Sequence, residues 1–207
     1  MTTKPGKATD QIALAGLLVS IVLLGFGLRL HGLDSSSLWL DEIFTATAAQ
    51  LDPVSIPRFH LEEAATPPLV SVITHMSFAC WGENEFVARL PSALFGSLSI
   101  LLPYKAGEAL WTSEVGLVGS ALLAVNAYRV QYSQEAGHYA LMPFLALLSL
   151  IFLVKALRRD SRGLSLGCVV CTTLSLYNHY FAFLFRPAEV LYGCGVIADH
   201  SFAGHVA

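Results

Sequence analysis

Residues 12–30 read IALAGLLVSIVLLGFGLRL, an apolar run broken by charge only at Arg29, next to its end. A bilayer crossing takes roughly 20 apolar residues, so this stretch is long enough to span. Lys4 and Lys7 stand ahead of it, as they would in a signal peptide. The run ends in Arg29-Leu30-His31 rather than in a small-residue cleavage site, so it reads as a retained helix. Basic residues ahead of a first span place the N-terminus in the cytoplasm.

Further apolar segments occur at Pro68–Trp81, Leu90–Leu110, Val115–Tyr128, Tyr139–Leu157 and Leu164–Phe185. Composition agrees with them. The 207-residue chain is 55% hydrophobic and only 13% charged, and its mean hydropathy is +0.61. A soluble fold needs more polar cover than this. The fold class expected is an all-α integral membrane protein, a polytopic transmembrane helix bundle. The net charge of −3 gives no reason to expect a nucleic-acid partner. Cys80, Cys168, Cys171 and Cys194 lie in or beside apolar stretches. Cys168 and Cys171 form a CxxC without a second ligand pair, so the four read as buried, inert thiols.

The sequence divides into a cytoplasmic N-terminus (1–11), a transmembrane module (12–185) and an irregular tail (186–207) that reads as the end of a truncated chain. Inside the module, the first loop (31–67) carries Asp34, Asp41, Glu42, Asp52, Arg58, His60, Glu62 and Glu63. Coming after a first span with a cytoplasmic start, it belongs on the non-cytoplasmic side. Beyond it two readings compete. Simple alternation puts Ser133–His138 in the cytoplasm. The cluster Arg158, Arg159 and Arg162 is itself cytoplasmic by the positive-inside rule, which puts Ser133–His138 outside. The two agree only if one segment fails to cross, and Pro68–Trp81, short and carrying His75, is the best candidate.

Asp41 and Glu42 sit in LWLDEIFTATAAQ (38–50); here Leu40, Ile43, Phe44 and Thr47, with Leu51 just beyond, recur at helical spacing. That pattern predicts a short amphipathic helix at the membrane surface. The acidic pair favours a helix N-terminus and equally suits a general base at a membrane rim; spacing does not choose. In VQYSQEAGHYAL (130–141), Ser133 and Glu135 read as a cap and first turn of the next helix. The clustering of Gln131, Tyr132, Gln134, His138 and Tyr139 between apolar segments points to a substrate cavity. Arg89 reads either as a snorkelling side chain or as a phosphate ligand. His179 and Tyr180, in LYNHYFAF (176–183), are polar groups within an apolar segment, where such groups face protein or a wet cavity.

At these residues the chain resembles the GT-C glycosyltransferases of the protein-mannosyltransferase and aminoarabinose-transferase superfamily (glycosyltransferase family 39 and its bacterial relatives). LWLDE (38–42), TPPL (66–69), ENEFVARLPSALFGSLSILLPY (83–104), YSQEAGHYALMPFLALLSL (132–150) and LYNHYFAF are similar, in order, to that family's stretches. Together they cover about residues 15 to 185. The resemblance implies a GT-C-like N-terminal module of an inverting enzyme. Such an enzyme moves a sugar from a polyprenyl-phosphate carrier to a lipid, glycan or protein acceptor on the outer face of a bacterial-type plasma membrane. It further implies Asp41 as catalytic base, with Glu42 positioning the acceptor or binding a divalent metal in members that use one; no other cofactor is implied. Arg89, Gln134, Glu135, His138, His179 and Tyr180 become candidates for substrate binding.

Two positions depart from the family. Gly137 stands where Arg is common, which removes a phosphate or substrate contact that the adjacent His138 would partly replace. Thr66 stands where aminoarabinose-transferase-like members have Lys. Family members also run to more than twice this length. A non-catalytic membrane fragment or subunit is therefore the alternative, ahead of a small transporter, for which paired, interrupted helices are missing.

Overall fold

The computed structural model describes residues 5–64, 66–159, 161–185, 187, 189–191 and 193. The tail 186–207, with Cys194, lies almost wholly outside them. Among the described residues the chain is helical throughout: α1 (Pro5–Leu30), α2 (Leu40–Ala49), α3 (Ser55–Phe59) running into a π-helical turn (His60–Ala64), α4 (Leu69–Trp81), α5 (Glu85–Leu98), α6 (Leu101–Leu110), α7 (Ser113–Val125), α8 (Ala127–Ser133), α9 (Leu141–Arg159), α10 (Arg162–Asn178) and a 3-10 turn (Tyr180–Phe185). Among these described residues three stretches are long and apolar enough to cross a membrane: Asp10–Leu30, Glu85–Leu110 and Leu141–Arg159. The protein is an all-α membrane helix bundle.

Local chemistry sets the boundaries. Asn84 Oδ1 accepts from the Val87 amide at 2.9 Å to cap α5, and Asn126 Oδ1 accepts from Arg129 N at 3.0 Å to cap α8, each satisfying a donor that a helix start leaves unpaired. Gly82, at φ +85°, ends α4 in a backbone region that side chains with a Cβ rarely adopt. Helices α6 and α7 approach closely at Gly107 and Gly116, where a Cβ on either residue would run into the other helix's backbone. Small residues allow such backbone-to-backbone packing between membrane helices.

Specific bonds fix which helix ends lie together. Arg29, near the end of α1, donates to the Leu123 and Ala124 carbonyls at the end of α7 (3.1 Å each) and to Ser133 Oγ (3.3 Å). Gln134 Nε2 donates to the Leu28 and His31 carbonyls. Arg89, one turn into α5, reaches the Leu33 carbonyl at 2.8 Å, and Asn178, closing α10, donates to the His138 carbonyl just before α9. The loop 31–67 and residues 134–140 therefore share one end of the bundle. Arg158, Arg159 and Arg162, at the junction of α9 and α10, lie at the other. Helix α4 stays with the loop: His75 Nδ1 donates to the Ala49 carbonyl of α2 at 2.8 Å, and Gln50 bonds Glu83 beyond its far end. Helix α4 thus lies against α2 at the loop end of the bundle, and the loop 31–67 and residues 134–140 lie at the end opposite the arginine cluster.

Several local expectations need correction. Ser133 does not cap α9. It ends α8, its Oγ bonded to the Arg129 carbonyl and taking the Arg29 Nε donor, and residues 134–140 form bends and turns before α9 begins at Leu141. Glu135 is thus in a loop rather than a first helical turn. Helix α2 forms where expected, but its inward face is Thr45, Ala46 and Ala49, while Leu40 and Ile43 point outward. The alanines let α2 sit close to α4 and α5 in a core with Phe78, Val87, Ala88 and Ala136; the larger side chains suit a lipid-facing surface. Cys171 is buried, but Cys80 is exposed on α4.

Candidate functional site

The neighbours Asp41 and Glu42 face different surroundings. Glu42 is 1% exposed and Arg89 4% exposed. They form a two-point ion pair, Arg89 Nε to Glu42 Oε1 at 2.7 Å and Nη2 to Oε2 at 2.8 Å. Glu42 also accepts from the Ala136 amide (2.8 Å) and the Trp39 amide (3.2 Å). Arg89 uses its other donors on the Leu33, Ser36 and Ser37 carbonyls. Burial works against the Glu42 carboxylate, but the Arg89, Ala136 and Trp39 donors outweigh it and hold its pKa below the ordinary value. This clamp fastens the loop after α1, the start of α2, α5 and the 134–140 loop into one block.

Asp41 lies on the other side of that wall, exposed, at the edge of a cavity of about 450 Å³ lined also by Thr45, His60, Thr66, His138, Asn178 and His179. Tyr139 Oη donates to Asp41 Oδ2 at 3.3 Å. Burial and the Asp41 charge raise the Tyr139 pKa, so the phenol remains a donor. Tyr139 stacks on Tyr132 with ring centres 4.9 Å apart, and the His138 and His179 rings stack at 4.0 Å. Burial, reinforced by the neighbouring His179, pushes the His138 pKa down to about 4; its imidazole is neutral at physiological pH. Glu135 is shifted the opposite way, upward, by burial and by the charges of Glu42 and Asp41.

A second cavity of about 700 Å³ adjoins the first. It is apolar, lined by Leu61, Pro68, Leu176, Tyr177, Tyr180 and Phe183. His60, Thr66 and Pro67 line both. His60 is pinned at this junction, Nε2 to Ser71 Oγ at 2.8 Å and Nδ1 to Thr66 Oγ1 at 3.2 Å.

The sequence candidates thus separate into three groups. Asp41, His138 and His179 line the polar cavity, and Tyr180 the apolar one. Glu42 and Arg89 are spent on each other and on nearby backbone groups, and neither is among the residues lining these two cavities. Gln134 ties its loop to the end of α1, and Glu135 accepts from Gln131 Nε2 at 3.4 Å. The metal role for Glu42 does not fit the residues present: both its oxygens are occupied by arginine and amide donors, and no three His, Cys, Asp or Glu among the described residues are grouped to hold an ion. Sequence reasoning passed over His60, Asn178 and Arg29. A polar residue closing an apolar helix was the available signal for Asn178, and an arginine within an apolar run was the signal for Arg29.

Residues 65–202 match the family described as dolichyl-phosphate-mannose-protein mannosyltransferase. The matched stretch contains Arg89, the 134–140 loop, His179 and Tyr180; Asp41 and Glu42 precede it. No curated protein matches the chain.

Proposed function

Because this chain belongs to the dolichyl-phosphate-mannose-protein mannosyltransferase family, whose GT-C-type members use polyprenyl-phosphate-linked sugars, we propose that it carries the donor side of such a transfer. The acceptor is a hydroxyl of a lipid, glycan or protein, and the site is on the non-cytoplasmic face of the membrane. The observation that carries this reading is the pair of adjoining cavities. A polyprenyl-phosphate sugar has an apolar chain, then a phosphate, then a polar ring. An apolar groove that meets, at His60, Thr66 and Pro67, a more polar cavity bearing Asp41, Glu63, His138 and His179 has the same order, with Asp41 at the more polar end.

In the reaction, the acceptor oxygen attacks the anomeric carbon from the face opposite the phosphate. The carbon–oxygen bond to phosphate breaks, and its electron pair leaves with the phosphate. Asp41 takes the acceptor's proton as that oxygen becomes nucleophilic. The leaving phosphate is already a stable anion, so no acid is required to protonate it. Tyr139 holds the Asp41 carboxylate by its Oδ2. Glu42 and Arg89 position the α2 start that carries Asp41.

A second reading, a non-catalytic fragment or subunit, is favoured by one feature. Among the described residues lining either cavity there is no Arg or Lys, and a leaving phosphate needs positive charge or donors. The deciding experiment is transfer of radiolabelled sugar from a polyprenyl-phosphate donor in membranes containing this chain. Asp41-dependent transfer above the level of membranes lacking the chain supports the enzyme; none, with the chain present and folded, supports the subunit reading.

A further inference from the structure

Asn178 closes α10 and is 1% exposed, yet it lines the polar cavity beside Asp41, His138 and His179. Its Nδ2 donates to the His138 carbonyl at 3.1 Å. A carbonyl oxygen can only accept, so this bond settles which end of the amide faces the loop. The other end, Oδ1, has no donor among the described residues. Buried side-chain oxygens are ordinarily paired, and an unpaired one is costly. The adjacent His179 does not relieve it through Nδ1, which accepts from the Phe181 amide at 3.1 Å.

The cavity's unmet needs point to a class of ligand. Asp41 and Asn178 Oδ1 both require donors, and the Thr45 hydroxyl, whose proton goes to the Asp41 carbonyl at 3.2 Å, is left as an acceptor. An anionic group such as phosphate, which offers acceptors, is disfavoured beside them. A ligand rich in hydroxyl donors with an apolar ring face suits both these oxygens and the rings of His138, His179 and Tyr139. We propose that Asn178 Oδ1 accepts a hydrogen bond from one hydroxyl of the sugar seated in this cavity, which makes Asn178 a specificity-determining residue for the donor. The proposal rests on the glycosyltransferase reading above. It assigns the two ends of one amide separate tasks: Nδ2 holds the His138 loop and Oδ1 selects the sugar.

The test is direct binding to the full chain in detergent micelles. The probes are farnesyl phosphate, its mannosyl, glucosyl, galactosyl and arabinosyl derivatives, and analogues of the tightest-binding derivative lacking each hydroxyl in turn. With the wild-type chain, removal of one particular hydroxyl weakens binding about tenfold, the scale of one hydrogen bond to a buried acceptor; the other deletions have smaller effects. Asn178→Ala binds that deoxy analogue and its parent equally. If Asn178→Ala does not fold, Asn178→Asp, which keeps an acceptor oxygen, must retain the discrimination. A residue that only pins the His138 loop would lower binding of glycosylated and bare carrier alike. Equal binding of every deoxy analogue by the wild type, or discrimination surviving in Asn178→Ala, overturns the proposal and leaves the donor reading standing. Wild-type binding of bare farnesyl phosphate as tight as every glycosylated form defeats the donor reading, and the role of Asn178 falls with it.

Discussion

One residue separates two regions of opposite character. On one side of α2 is the wall, where Glu42 and Arg89 meet five further backbone partners in a buried lattice. On the other is the cavity, where the exposed Asp41 carboxylate takes, among the described residues, one hydrogen bond, from a tyrosine hydroxyl at 3.3 Å. The carboxylates are chemically alike and adjacent in sequence. The helix turns them about 100° apart, and that rotation decides their work. A carboxylate whose lone pairs are all filled is a fastener; one with open lone pairs beside a cavity can accept a proton. The comparison teaches that the acidic pair of LWLDE is a pair in sequence and not in surroundings.

The sharpest way to break this comparison is to neutralise each carboxylate. If the chain transfers sugar, Asp41→Asn lowers turnover by about 10²–10⁴-fold, the usual scale for losing a general base, while the amount of folded protein and its melting temperature in detergent stay near wild type. Turnover within a few fold of wild type would remove Asp41 from the chemistry. Glu42→Gln shows the reverse pattern, a lower melting temperature with any loss of turnover tracking the loss of folded protein.

The next largest effect comes from the wall's other partner. Arg89→Leu strands a buried carboxylate and three loop carbonyls, and breaking a buried ion pair by removing one member costs about 3–5 kcal/mol. Thermal unfolding in detergent, followed by far-UV circular dichroism, checks it. The double change Glu42→Leu with Arg89→Leu recovers only part of the loss, because the Leu33, Ser36 and Ser37 carbonyls remain without their donor. Full recovery would mean that the ion pair, rather than the loop anchoring, is what matters.

How much of this is legible in the sequence divides along the same line. The long apolar helices can be read because spanning a bilayer demands a length and a composition that few other structures need. The small-residue contacts are less visible. Nothing in the periodicity of LWLDEIFTATAAQ says that Ala46 and Ala49 face inward while Leu40 and Ile43 face out, since a membrane reverses the usual rule for which face is buried. Arg89 can be read as charged and placed near the membrane edge, but its partner lies 47 positions away in the chain, and pairing at that distance is fixed by packing. Asn178 is in plain view in LYNHYFAF; its role depends on which atom of the amide is left over, which only the geometry shows.

A smaller test concerns the wall's far edge. Gly96 lies against Ser133, and a Cβ there would collide with Ser133 Oγ and come within 3.3 Å of Arg29 Nε. Gly96→Ala therefore disturbs the Arg29–Ser133 bond that joins α1 to α8. Overpacking of this kind costs about 1–3 kcal/mol. The same assay reads it, and unchanged stability would show that α8 can move away from α5 freely.

The smallest expected effect belongs to the cavity and separates it from the wall by pH. Burial, with the neighbouring His179, pushes His138 down from the ordinary 6.5 to about 4. Between those values the unfolded chain binds the proton and the folded chain resists it, so stability falls as pH falls from about 6.5 to about 4. Burial lowers His60 as well, adding in the same direction, while the raised Glu135 opposes it. Glu42, with its lowered pKa, contributes stability that is lost only at still lower pH, as its folded carboxylate is finally protonated. A difference measurement isolates His138: melting curves of wild type and His138→Gln are compared from neutral pH downward. The wild type loses about 1–2 kcal/mol more than the variant across the window, an amount reduced from the full linkage value because the ring is partly solvated. Parallel curves would mean that His138 is protonated as easily in the cavity as in water. The neutral, stacked imidazole pair would then no longer distinguish the cavity from an open surface.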